Sequence, residues 1–89
     1  ALATGLASRV VPDSELDQAA GAVAQNILRN TPLGVRLTKE CLRYLVDAPT
    51  LESAIATEDR NQSLTTRTND MREGISAFLE KRAPQYEDA

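Results

Sequence analysis

Five side chains have types and neighbours that invite a chemical reading: Cys41, the adjacent carboxylates Glu58 and Asp59, and the Phe78/Lys81 pair. Hydrolysis or lyase chemistry needs a positioned acid or base and a group that stabilises an oxyanion. The chain has no histidine, no glycine-rich phosphate loop and no G-x-S-x-G nucleophile elbow. Glu58 and Asp59 are the candidate carboxylate couple, but neighbours on a helix point about 100° apart and do not face each other. Their predicted role is surface ion pairing with nearby arginines. Glu58 also follows Leu51, Ala54 and Ile55 on an apolar stripe, so it either snorkels at an edge or, as favoured here, pairs with an arginine across an interface. Cys41 lacks an imidazole base and a metal-ligating companion, and reads as a small apolar residue on a helix. Phe78 and Lys81, three apart, share a face near the end of the last helix. On residue types alone Phe78 is core, while Lys81 and Arg82 complement the negative end of the helix dipole. No catalytic residue and no metal site is predicted.

Composition narrows the function classes. The chain has 89 residues, 10 basic and 13 acidic, for a net charge of −3. Nucleic-acid binders carry a basic stripe. Here Arg60, Arg67 and Arg72 are interleaved with Glu58, Asp59, Asp70 and Glu73, which argues against nucleic acid. No apolar run approaches the roughly 18 residues of a membrane span, and no charged-then-apolar leader opens the chain. One cysteine precludes an intrachain disulfide, so the cytoplasm is the expected compartment. The apolar content is 42%, yet 13 residues are alanine and only three are aromatic. Burial returns about 25 cal/mol per Å², against roughly 1–2 kcal/mol of backbone entropy per residue. Such a chain is expected to fold weakly alone and better against a partner.

The elements that must position these residues are punctuated by Pro12, Pro32, Pro49 and Pro84. Ala1–Thr4 reads as the end of a helix stopped by Gly5 in the left-handed conformation. Leu6–Val11 reads as a short strand kept extended by Pro12. A first helix is predicted from Ser14 to Arg29, capped by Asp13 or Ser14, with an apolar stripe whose middle is alanine and glycine. Thr31-Pro32 starts a second helix that runs to about Val46. Thr50 caps a third helix, which breaks at Thr65–Asn69. A fourth starts at Asp70, with Glu73 at capping-box spacing; Met71, Ile75, Phe78 and Leu79 form its packing face and Ala83-Pro84 closes it. Gln85–Ala89 reads as a polar tail. The predicted class is all-α: about four helices with a short N-terminal strand.

Three blocks carry a resemblance. Gly5–Pro12 (GLASRVVP), Asn30–Lys39 (NTPLGVRLTK) and Asp70–Pro84 (DMREGISAFLEKRAP) resemble, in order and spacing, the C-terminal part of the enoyl-CoA hydratase/isomerase (crotonase) family. The similarity spans essentially the whole chain. It implies that residues 1–12 end a ββα-spiral core and residues 13–89 form the helical C-terminal region. In that family the core binds an acyl-CoA thioester, holds its carbonyl between two backbone N–H groups and supplies the glutamates of hydration. The region matched here follows those parts, so the resemblance implies no catalytic residue in this segment and no cofactor bound by it alone. The parent enzyme's substrate is then a coenzyme A thioester of fatty-acid metabolism.

The family's helical region mediates trimers, often stacked as hexamers, and covers the active site. The residues matching Phe78 and Lys81 touch bound CoA in some members, the lysine near its adenine and phosphate end. The implied site residues are therefore Phe78 and Lys81, and the implied partners are further copies of the chain and acyl-CoA. The contrasting possibility is a stand-alone helical protein-interaction module without CoA chemistry.

Overall fold

The computed structural model describes residues 1–89 as four α-helices and one short 3-10 turn: the turn Asp13–Glu15, α1 Leu16–Leu28, α2 Pro32–Val46, α3 Leu51–Thr65 and α4 Asn69–Glu80. The all-α reading holds. The expected strand at Leu6–Val11 is absent, and this segment is irregular. Its β-branched residues favour extension, but a strand needs a partner to satisfy its backbone, and the chain offers none. Ala1–Thr4 is a turn and not a helix end, closed by the Gly5 N–H donating to the Leu2 carbonyl at 3.2 Å. Gly5 does adopt the expected left-handed backbone, with φ +79°.

Three helices begin as threonine chemistry dictates. The hydroxyl oxygens of Thr31, Thr50 and Thr68 accept hydrogen bonds from the N–H groups of Gly34, Ser53 and Met71, at 3.1, 3.0 and 3.1 Å. Each satisfies one donor that the first helical turn leaves open. The predicted cap of α1 fails, because neither Asp13 nor Ser14 caps with its side chain. Pro12 instead precedes a 3-10 turn that leads into the helix, with the Glu15 N–H on the Pro12 carbonyl at 2.9 Å, and this puts Glu15 at the cap position of α1, where its side chain makes no capping bond. The capping box expected at Asp70 and Glu73 is also corrected. Thr68 takes the capping role one residue before the helix, which frees both carboxylates for other partners.

Joined by residues 47–50, α2 and α3 pack antiparallel. The Tyr44 hydroxyl donates to Ser53 Oγ at 3.1 Å at one end, and Asn61 Nδ2 donates to the Leu37 carbonyl at 3.5 Å near the other. Only four residues are buried: Cys41, Asn61, Asp70 and Ala77. α1 buries none and packs mainly on its own 3-10 turn. The molecule is a flat plate of 43 × 41 × 18 Å with a radius of gyration of 16.7 Å, where a compact 89-residue domain would have about 12 Å. Its surface of 7394 Å² exceeds that of a compact monomer of its mass by roughly 2,300 Å².

Candidate functional site

The most organised polar structure is the tail folded back along α4. Arg82 is its pivot. Its Nη1 and Nη2 donate to the two oxygens of Glu73 at 2.5 and 2.9 Å, and its Nε donates to Glu80 at 2.6 Å. Glu73 also accepts the Gln85 N–H at 2.8 Å. The Arg82 hydrogen bonds first, and the Gln85 N–H next, hold the Glu73 carboxyl down at about 2, and the same carboxylates raise Arg82 further. One turn earlier on the same face, Asp70 accepts the Glu87 N–H at 2.8 Å with one oxygen, and its own N–H donates to the Ala89 carbonyl at 2.9 Å. The second Asp70 oxygen is buried with no partner. Arg36 on α2 pairs with Asp88, whose carboxyl is lowered by the guanidinium hydrogen bonds. The tail is thus a strap bolted to both α4 and α2.

This strap reverses the predicted face of α4. The covered side is Asp70, Glu73, Gly74 and Ala77, following a three- and four-residue spacing, with the Tyr86 ring lying over Gly74. The apolar side expected to pack down is open: Met71 is half-buried, Ile75 is 49% exposed, Leu79 72% and Phe78 81%. Within this chain nothing covers Phe78, so its reading as a core residue is corrected. Beside it a shallow hollow of about 300 Å³ is lined by Thr31, Asp70, Gly74, Ile75, Phe78 and Tyr86 among others.

Lys81 sits at the turn that ends α4. Its N–H donates to the Phe78 carbonyl at 3.3 Å, and the Arg82 N–H donates to the Ala77 carbonyl at 3.0 Å. That pair of bonds is the Schellman arrangement, in which the penultimate residue is left-handed and usually glycine. Here it is Lys81, with φ 55° and ψ 39°. Its ammonium has no carboxylate within ion-pairing distance. Phe78 and Lys81 therefore lie three residues apart at the same exposed end of α4, an uncovered ring and a cation without a carboxylate partner. That combination suits a ligand with a phosphate and a flat or apolar part.

A second, larger groove of about 490 Å³ runs between α2 and α3, with Leu37, Cys41, Leu45, Glu58, Asn61 and Gln62 on its walls. Glu58 lines this groove, and neither it nor Asp59 forms the expected surface ion pair with an arginine of this chain. The nearby arginine is engaged elsewhere, Arg60 Nη2 donating to Asn61 Oδ1 at 3.3 Å. Cys41 is buried and free. No cluster of three or more His, Cys, Asp or Glu exists that could hold a metal ion. No helix is long and apolar enough to cross a membrane.

Comparison with known proteins agrees with the resemblance of the three blocks. Residues 1–89 match the family model for enoyl-CoA hydratase/isomerase. Among curated relatives, the 2,3-dehydroadipyl-CoA hydratase of Escherichia coli is 35% identical over 82 residues, covering 92% of this chain and 32% of the relative. The 1,2-epoxyphenylacetyl-CoA isomerase of the same organism is 34% identical, covering 92% and 31%. The crystal structure of an enoyl-CoA hydratase from Bacillus anthracis superposes with a TM-score of 0.88 at 33% identity, over 99% of this chain and 34% of that one. The chain spans about a third of the length of these relatives. With every residue matched by the family model and the helical arrangement shared with a solved member, the chain belongs to the enoyl-CoA hydratase/isomerase (crotonase) family.

Proposed function

We propose that this chain is the C-terminal helical region of a crotonase-type enzyme acting on acyl-CoA thioesters in fatty-acid metabolism, where it serves oligomerisation and covers the active site. Residues 1–12 end the core, and residues 13–89 are the oligomerisation and lid region. The observation that carries the reading is the combination of a family match over all 89 residues with coverage of only a third of each relative. The surface supports it. A plate exposing roughly 2,300 Å² beyond a compact monomer has uncovered enough area for an obligate interface. The open face of α4 and α1, which buries no residue, contribute to that area.

Within this reading Phe78 packs against the CoA and Lys81 meets its phosphates as a point charge. The chain alone supplies no general acid or base, so the chemistry belongs to the rest of the enzyme. The curated relatives include a hydratase and an isomerase; of these reactions, hydration of a 2-enoyl thioester is the one proposed. The proposed compartment is the cytoplasm. The test is to give the natural gene product a short 2-enoyl-CoA and follow loss of the conjugated thioester absorbance. Hydration, absent from the isolated 89-residue chain, is the expected result. A gene product that neither turns over nor binds the thioester overturns the reading.

A further inference from the structure

The left-handed Lys81 and the ion pairs beside it call for an explanation that CoA contact alone does not supply. An L-residue in this conformation is disfavoured, whereas glycine adopts it freely. A strained backbone of this kind persists only when its surroundings over-determine it. The surroundings here are identifiable. The residues on either side of Lys81 are tied together, Glu80 to Arg82 at 2.6 Å. Arg82 is in turn forked onto Glu73 at 2.5 and 2.9 Å, and Glu73 also holds the Gln85 N–H. The chain on both sides of Lys81 is therefore anchored where its φ is 55°.

The charges add a second effect. Glu80 adjoins Lys81 in sequence and Glu73 lies about two turns earlier on α4, and a carboxylate near either place would attract its ammonium. Arg82 engages both of them. Lys81 is thereby left with no carboxylate partner, which is the state a phosphate-binding lysine needs. A planar guanidinium can satisfy two carboxylates at once, where a lysine ammonium has no matching fork.

We propose that Glu73 and Arg82 are positioning residues for Lys81: their forked pair fixes the left-handed turn that presents the ammonium, and it removes the carboxylates that would otherwise neutralise it. This rests on the reading above that Lys81 meets CoA phosphate. Neither Glu73 nor Arg82 touches the ligand. Both act through the backbone and the local charge at Lys81.

The test uses the natural gene product and two probes, CoA and pantetheine, the second lacking the nucleotide phosphates. Affinities are read by titration calorimetry for wild type, Lys81→Ala, Glu73→Gln, Arg82→Lys and the double variant Lys81→Ala/Glu73→Gln. Lys81→Ala is expected to weaken CoA about tenfold and leave pantetheine unchanged. Glu73→Gln and Arg82→Lys are expected to weaken CoA about threefold or more, again sparing pantetheine, and Glu73→Gln is expected to add nothing once Lys81 is gone. A purely structural role would move both probes together. If Lys81→Ala matters and Glu73→Gln does not, or if Glu73→Gln harms both probes equally, the positioning role is overturned while the CoA contact stands. If Lys81→Ala leaves CoA affinity intact, the contact itself is wrong and the positioning role falls with it. Arg82→Lys keeps the charge and loses the fork, so it carries the test should Glu73→Gln fail to fold.

Discussion

The Arg36 guanidinium holds the Asp88 carboxylate with both terminal nitrogens, at 2.8 and 3.1 Å, across 52 positions of sequence. Asp88 meets it from a left-handed backbone, φ 59°, a conformation aspartate tolerates better than most residues. The pair ties the last residues of the chain to the second helix. Together with Glu73–Arg82 and Asp70–Glu87 it turns a polar tail into a strap.

The strap is predicted to survive mild acid. Glu73 has its carboxyl lowered from an ordinary 4.5 to about 2 by Arg82 and the Gln85 N–H. A depressed carboxyl contributes stability that is fully present above its unfolded value and is lost as pH falls through its folded one. Release should therefore begin below about 4.5 and centre near 2. Asp88, lowered by Arg36, shifts in the same direction. The Gln85 amide proton, followed by NMR, reports this directly, and a midpoint near 4.5 would show that the pair does not form.

Asp70 is predicted to be the strap's buried anchor. Asp70→Ala removes the acceptor of the Glu87 N–H, a charge-assisted bond worth about 1.5–3 kcal/mol. Protection of the Glu87 amide against hydrogen exchange should be lost, while the Thr50-capped start of α3 stays as it was. Unchanged protection at Glu87 would remove Asp70 from this role.

The start of α2 offers a coupled pair. A Cβ on Gly34 would lie 2.6 Å from Thr31 Oγ1, so Gly34→Ala must displace the capping hydroxyl. The gain of about 1 kcal/mol from replacing a helical glycine is then cancelled by loss of a cap worth about 1 kcal/mol. Gly34→Ala is predicted to be nearly neutral in wild type and stabilising by about 1 kcal/mol in a Thr31→Ala background. Thermal melts of the four proteins decide it, and additivity would contradict the clash.

Lys81→Gly should relieve the strained turn. The expected change is a stabilisation of up to about 1 kcal/mol, visible as slower exchange of the Arg82 amide that bonds the Ala77 carbonyl. A destabilised turn would mean that the Lys81 side chain, and not the backbone, holds it.

Local chemistry was legible where it is local. Thr31-Pro32 and Thr50 announced α2 and α3 because a threonine cap and a first-position proline act within one turn. The three family blocks carried the identity. The strand at Leu6–Val11 was misread because strand formation depends on a partner that these 89 residues lack. Glu73 was misread for a related reason. Its spacing from Asp70 suggested a capping box, whereas its actual partners, Arg82 and Gln85, lie nine and twelve residues on, beyond a chain reversal at a non-glycine turn. The clue was present in Asp70 and Glu73, two carboxylates on one helix face ahead of a proline-ended helix, with tail N–H groups needing acceptors. Phe78 was placed in the core by periodicity, which identifies an apolar face without saying whether its cover belongs to the same chain.

We propose that this plate of helices is an assembling cover for a longer CoA-binding enzyme. Native mass spectrometry of the natural gene product, with and without CoA, tests it most directly. The predicted result is a subunit roughly three times the size of this chain, assembled as a trimer or hexamer and retaining CoA. A mature monomer of this chain's own 9.7 kDa, with no CoA bound, would contradict it and leave a stand-alone helical interaction module in its place.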